Sequence, residues 1–228
     1  MGSIADNIAE IRNNIALAKA KSPNPEQDIT LVAVTKMHGV EEIKEVLACG
    51  QTLLGENRVQ ELLDKYDAVG DGATWHIIGH LQSNKVKYIT DKVAMIHSLE
   101  SESLAKELSS RMQALGKTMD CLVQVNIADE ESKFGLEKTA VVPFLQQVSQ
   151  MPGIRIKGLM HIAPYFENPE DVRPIFREMH QLFEQIKMLE IPNVNMDILS
   201  MGMSHDYQVA IEEGANMIRV GSSIFATA

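Results

Sequence analysis

Three groups of residues in this chain are spaced as chemistry would need them. Lys36 closes the run ITLVAVTK, in which Leu31 to Val34 is unbroken, apolar and rich in β-branched side chains. That is the pattern of a strand buried on both faces, so the lysine stands where a strand runs out into a loop. A primary amine there is a candidate nucleophile toward a carbonyl, provided desolvation or nearby cations lower its pKa. Near the C-terminus, SMGMS (Ser200, Met201, Gly202, Met203, Ser204) and GSS (Gly221, Ser222, Ser223) put small and hydroxyl residues into two loops. Such loops let backbone N–H groups approach phosphate oxygens. Arg219 lies two positions before Gly221 on one strand and therefore shares its face.

These residues converge only if parallel strands carry them to one rim. Ile4, Ile8, Ile11 and Ile15 predict an amphipathic helix over residues 3–20 with Ser3 as its cap, and SPNPEQ breaks it. After Lys36 a helix is expected to about Cys49, then the short strand QTLLG and a helix from Glu56 to Tyr66. WHIIG is a third strand with a short helix over Ser83 to Ile89, and VAMIHSL a fourth with Ser101 capping the helix behind it. MDCLVQVN is a fifth; the loop IADEESKFG separates it from a helix around Val141, Leu145 and Val148. IRIKGLM is a sixth, followed by the longest helix, Asn168 to Glu190. NMDILS, a helix from His205 to Glu213, and NMIRV complete eight strands.

Strict alternation calls for parallel strands with right-handed crossovers, and eight units most simply close as a (β/α)8 barrel, with one extra helix at the N-terminus. An open doubly wound sheet is the competing fold. No G-x-G-x-x-G follows the first strand, which disfavours a dinucleotide version of it. A barrel gathers Lys36, Glu56-Asn57-Arg58, Gly79-His80, Glu100, Asn126, Met160-His161, Ser200 to Ser204 and Gly221 to Ser223 at one mouth. Taken singly, Lys36 reads as a strand-end lysine reaching into solvent and Arg219 as a salt-bridged barrel arginine. Taken together, an amine on the first strand, a phosphate cup on the last two and an arginine beside the cup have the layout of a pyridoxal phosphate site, Lys36 forming the Schiff base and Arg219 facing the pyridine nitrogen.

Composition narrows the alternatives. The 228 residues, 45% hydrophobic and 23% charged, suit one soluble barrel domain spanning 1–228. A net charge of −10 with 31 acidic residues argues against a nucleic-acid partner. No run is apolar enough for a signal peptide or membrane span, and Cys49 and Cys121 read as reduced thiols, so a cytoplasmic location is expected. The seven histidines lack metal-ligand spacing. His76 reads as a hydrogen-bonded core residue and His80 as better placed to see a ligand. Met37, Met160, Met201 and Met203 are expected to wall the mouth, and Lys133 is the reserve Schiff-base lysine. With no long apolar helix face left over, a monomer is expected.

At these residues the chain resembles the YggS/PROSC family of pyridoxal phosphate homeostasis proteins, relatives of the barrel half of alanine racemase. The likeness covers nearly the whole chain. Its most specific piece is WHIIGHLQSNKVKYI, Trp75 to Ile89, and LVAVTK, GENRVQE, SKFG, LSMGMS and IRVGSSIF are also similar. Ile77 stands where Phe or Met is more usual. The resemblance implies that Lys36 holds the cofactor, that Ser200 to Ser204 (Met201 and Gly202 included) with Gly221 and Ser222 bind the phosphate, and that Arg219 contacts the pyridine nitrogen. Asn57 and the His76 to Gly79 strand then line the cofactor. It further implies a cytosolic carrier that buffers pyridoxal phosphate and meets apo-enzymes transiently, without robust turnover. The alternatives are a weak racemase or lyase, with Tyr165 or His161 as base, and a barrel enzyme acting on a phosphorylated metabolite. Racemases of this kind take a tyrosine from a further domain, and the barrel is expected to use this whole chain.

Overall fold

The computed structural model describes residues 2–127 and 134–226. Eight strands close into a parallel barrel: Thr30–Val34 (β1), Leu53–Glu56 (β2), Thr74–Ile77 (β3), Met95–Leu99 (β4), Met119–Asn126 (β5), and, after a short β6, Ile154–His161 (β7), Val194–Ser200 (β8) and Met217–Val220 (β9). Each pairs in parallel with its neighbours, and closure comes from β1 on β9, with Val32 opposite Arg219, and from β4 on β5. The open-sheet alternative is thereby excluded. The additional strand β6, Leu136–Glu137, lies just past the sequence read as a polar loop and pairs with the end of β5.

Helices alternate with the strands: Ile4–Lys19 (α1), Val40–Ala48 (α2), Val59–Val69 (α3), Glu102–Ala114 (α4), Val141–Val148 (α5), Arg173–Met188 (α6) and Tyr207–Glu212 (α7). Ser3 caps α1 through a capping box with Asp6, and Ser101 accepts the Leu104 N–H at the start of α4. Three helices differ from expectation for local reasons. Glu56 belongs to β2 and Arg58 is extended, so α3 begins at Val59 and runs on until Gly70 adopts φ +76°. Asn168 caps a 3-10 turn over Pro169–Val172, which delays α6 to Arg173. Asp206 bends the chain before α7, which starts at Tyr207. Ser83–Tyr88 is a 3-10 helix, and no helix among the described residues is long and apolar enough to cross a membrane.

The main core lies between barrel and helices, where Ile43, Leu62, Leu108, Phe176 and Ile211 are buried against the outer face of the strands. Inside the barrel the packing differs. Two small apolar clusters, Val32, Val34, Ile78 and Met217 and then Met95, Leu122 and Met160, leave room for the buried polar side chains His76, His97, Ser200 and Arg219. Gly158 serves the β7–β8 pairing: at φ +148° a Cβ would lie 1.8 Å from the Ile198 carbonyl oxygen, so only glycine lets β7 approach β8 there.

Candidate functional site

Successive residues of an extended chain face opposite sides, and the end of β1 uses this to separate Thr35 from Lys36. Thr35 is buried toward α3: its hydroxyl donates to Glu56 Oε1 at 2.6 Å, and Lys65 Nζ donates both to Glu56 Oε1 at 2.7 Å and to the Thr35 carbonyl at 2.8 Å. Glu56 is fully buried, so this carboxylate is balanced by its cation and hydroxyl donors rather than by water. The cluster pins the residue before Lys36 and leaves the Lys36 side chain exposed at the mouth. Met37 then turns the chain with φ +65°, and the His38 ring stacks on Phe225 at 3.7 Å, tying the loop after β1 to the segment after β9.

A polar chain crosses the barrel interior. Arg219 Nη1 donates to Ser200 Oγ at 2.6 Å and Nη2 to the His161 carbonyl at 2.8 Å. Ser200 Oγ lies 3.2 Å from His97 Nδ1, and His97 Nε2 lies 2.9 Å from His76 Nδ1. Arginine has donors only, so Ser200 accepts from Arg219, and one proton, from the Ser200 hydroxyl or from His97 Nδ1, joins Ser200 to His97. One N–H likewise bridges His97 Nε2 and His76 Nδ1, an arrangement that two neutral imidazoles satisfy. Burial supports this: it pushes His76 down to about 4 and His97 well below its ordinary value, the neighbouring imidazole and Arg219 adding to the effect on His97. Burial also lowers Arg219 to about 10, opposed by Asp206, so the guanidinium stays charged at neutral pH.

Beyond β8 and β9 two loops close on each other. Ser204 Oγ accepts the N–H of Gly221 at 3.1 Å and of Ser223 at 3.3 Å, and Arg219 N–H donates to the Gly202 carbonyl at 3.1 Å. Gly221 runs so close to β1 that a Cβ would sit 3.0 Å from the Val34 carbonyl oxygen. Asp206 accepts the Met203 N–H at 2.7 Å and fixes the turn; burial raises its pKa. The result is a cluster of backbone N–H groups and hydroxyls, held by Ser204, next to a buried guanidinium, with an exposed primary amine at the end of the adjacent strand.

The sequence from residue 7 to 228 matches the family described as the alanine racemase N-terminal domain. A pyridoxal phosphate homeostasis protein of Aquifex aeolicus is 41% identical over 221 residues, 96% of each chain. The Escherichia coli protein of the same name is 35% identical over 230 residues, 99% of this chain and 97% of that one. The chain belongs to the pyridoxal phosphate homeostasis protein family. Among solved structures of the family, PipY of Synechococcus elongatus with pyridoxal phosphate bound superposes with a TM-score of 0.86 at 32% identity, covering 98% of this chain and all of that one.

Within this family member, Lys36 is exposed at the end of β1, Ser204 and Gly221 bond to each other beyond the strand ends, and Ser200 and Arg219 lie buried inside the barrel, bonded to each other. Gly202 joins them through its carbonyl, and Ser222 lies between the two N–H groups that Ser204 accepts. The Met201 side chain is fully buried in the outer core, so only its backbone borders the cup, and Met160 packs inside the barrel rather than walling the mouth. Met37 is 89% exposed. Gly79 acts through its neighbour, since a Cβ there would lie 2.5 Å from the Asn57 carbonyl oxygen, and the missing side chain sets the position of Asn57. His76 lies below the rim, bonded to His97, while His80 stays at the rim with Nδ1 2.6 Å from Glu100 Oε1 and its ring on Phe134. Lys133 falls outside the described residues. Sequence reasoning passed over His97 and Lys65. His97 stands in a strand buried along its whole length, MIHSL, so no alternation marked the face it takes, and nothing in a single sequence marked Lys65 as the partner of Glu56.

Proposed function

We propose that this protein binds pyridoxal 5′-phosphate at the barrel mouth through Lys36 and holds it for delivery to apo-enzymes, serving cofactor homeostasis in the cytoplasm as a monomer with one domain over 1–228. The observation that carries the reading is the buried Arg219 beside the Ser204–Gly221–Ser223 donor surface, with Lys36 on the next strand. The donor set fits the group: N–H and hydroxyl donors for a phosphate, a guanidinium for a ring nitrogen and an amine for an aldehyde. The bound cofactor supplies an aldehyde that condenses reversibly with a primary amine and a ring that can accept electrons. Lys36 is the residue that holds it covalently, Ser200, Met201, Gly202, Ser204, Gly221 and Ser222 form the phosphate cup, and Asn57, His76 and Gly79 support the wall.

The chain's own residues favour holding over turnover. Arg219 donates a hydrogen bond without giving up its proton, because its pKa of about 10 stays well above neutrality. An acceptor facing it is therefore not protonated, which weakens the ring as an electron sink. Racemase or lyase activity also needs a base opposite the lysine; of the two candidates, Tyr165 is 75% exposed with its ring 5.0 Å from that of His205, and His161 is buried with Nδ1 2.8 Å from the Val125 carbonyl oxygen. Loading the protein with cofactor, removing free ligand and adding an apo-enzyme tests the reading. Activation of the apo-enzyme, with α-proton exchange of free amino acids no faster than for cofactor alone, is expected. Rapid α-proton exchange would replace the carrier with the weak enzyme.

A further inference from the structure

The second half of the WHIIGHLQSNKVKYI stretch takes no part in the mouth just described. Its residues instead form one wall of a separate cavity of about 450 Å³. Arg58, Gln60 and Leu63 on the side of α3 face Leu81, Lys85 and Tyr88 on the side of the 3-10 helix, and no carboxylate lines the space. Neither Arg58 nor Lys85, both of which line the space, belongs to an ion pair among the described residues. The N-terminus of α3 opens on the same space: its first intrahelical bond is from Leu62 N–H to the Arg58 carbonyl at 3.1 Å, and no side chain caps the N–H groups before it. Arg58, Lys85, whose Nζ lies 5.8 Å from the centre of the Tyr88 ring, and a positive helix end thus border a space floored by Leu63, Leu81 and Tyr88.

We infer that this cavity is a binding site for a small organic phosphate carrying a flat ring, the phosphate between Arg58, Lys85 and the start of α3, the ring against Leu63, Leu81 and Tyr88. Its volume suits such a ligand. Asn57 and His80 border both this cavity and the mouth, so an occupant here lies against the loop that carries Asn57. The inference stands on the cavity's own residues; the cofactor reading enters only through that shared wall.

The test locks the mouth first. The protein is loaded with pyridoxal phosphate, reduced with borohydride to fix the lysine adduct, and titrated calorimetrically with pyridoxine 5′-phosphate, which lacks the aldehyde and cannot condense with an amine. One further equivalent is expected, weakened by added salt and at least tenfold by Arg58→Glu or Lys85→Glu, both exposed positions, while adduct formation is unchanged. Absence of a further equivalent overturns the inference, as does a further equivalent indifferent to both substitutions. Binding of an acidic peptide without binding of the small phosphate overturns it too. If no adduct forms, the cofactor reading fails separately, and the same titration on unreduced Lys36→Ala still shows whether a charge-reversal-sensitive site exists.

Discussion

Two buried serines on neighbouring faces of the barrel should respond oppositely to loss of a hydroxyl. Ser200 Oγ accepts from Arg219 at 2.6 Å and bonds His97 at 3.2 Å, and it is fully buried. Ser200→Ala strands a guanidinium N–H, costing roughly 1.5–3 kcal/mol for a bond to a charged group, and removes the partner of His97 Nδ1, a further 0.5–1.5 kcal/mol or so. The sum is about 3 kcal/mol, which for a chain of this size lowers Tm by roughly 6–12 °C. Ser98 is also fully buried, but its hydroxyl has no partner among the described residues. Ser98→Ala should therefore be neutral or raise stability by about 1 kcal/mol, since an unsatisfied buried hydroxyl costs free energy. Thermal unfolding followed by circular dichroism reads both. Equal losses in the two variants would refute the interior chain as drawn, because burial alone would then explain the effect.

Other positions give equally direct expectations. Lys65→Met leaves the buried Glu56 carboxylate without its cation and should cost about 3–5 kcal/mol, with much of it recovered in the double variant with Glu56→Gln; urea midpoints check both. Gly79→Ala places a methyl 2.5 Å from the Asn57 carbonyl oxygen, so the loop after β2 must shift, and cofactor affinity should fall in equilibrium dialysis, with a stability loss of about 1–3 kcal/mol. The interior histidines predict acid sensitivity of a definite sign. His76 is held at about 4 in the folded state against an ordinary 6.5, so the unfolded chain takes up protons first, and stability falls as pH drops from 6.5 toward 4. That window is worth about 3 kcal/mol for His76, with His97 adding in the same direction, and His76→Asn should flatten it in urea midpoints measured between pH 7.5 and 4.5.

The barrel was legible because strand burial and helix periodicity are local: the runs around Val32, Ile77, Ile96, Val123 and Leu159 are short and mostly apolar, and each is followed by a helical pattern. The mouth was legible because Lys36, SMGMS and GSS sit at strand ends whatever the fine register. What a single sequence could not show are pairings across the barrel. Glu56 reads as a rim carboxylate until Lys65 is found behind it, and His97 reads as part of an apolar strand until Ser200, 103 positions away, is found bonded to it. Gly79 carries the same lesson, since its role depends on the backbone of Asn57 and not on any ligand contact of its own. Helix starts shifted wherever a cap or an extended residue, such as Arg58 or Asn168, outweighed periodicity.

The central claim is that Lys36 holds pyridoxal phosphate at this mouth. Incubating the protein with pyridoxal phosphate, reducing with borohydride and locating the modified lysine by peptide mass spectrometry tests it most directly. The account predicts one stable adduct on Lys36, absent from Lys36→Ala. An adduct on another lysine, Lys133 first, or none at all, would contradict it.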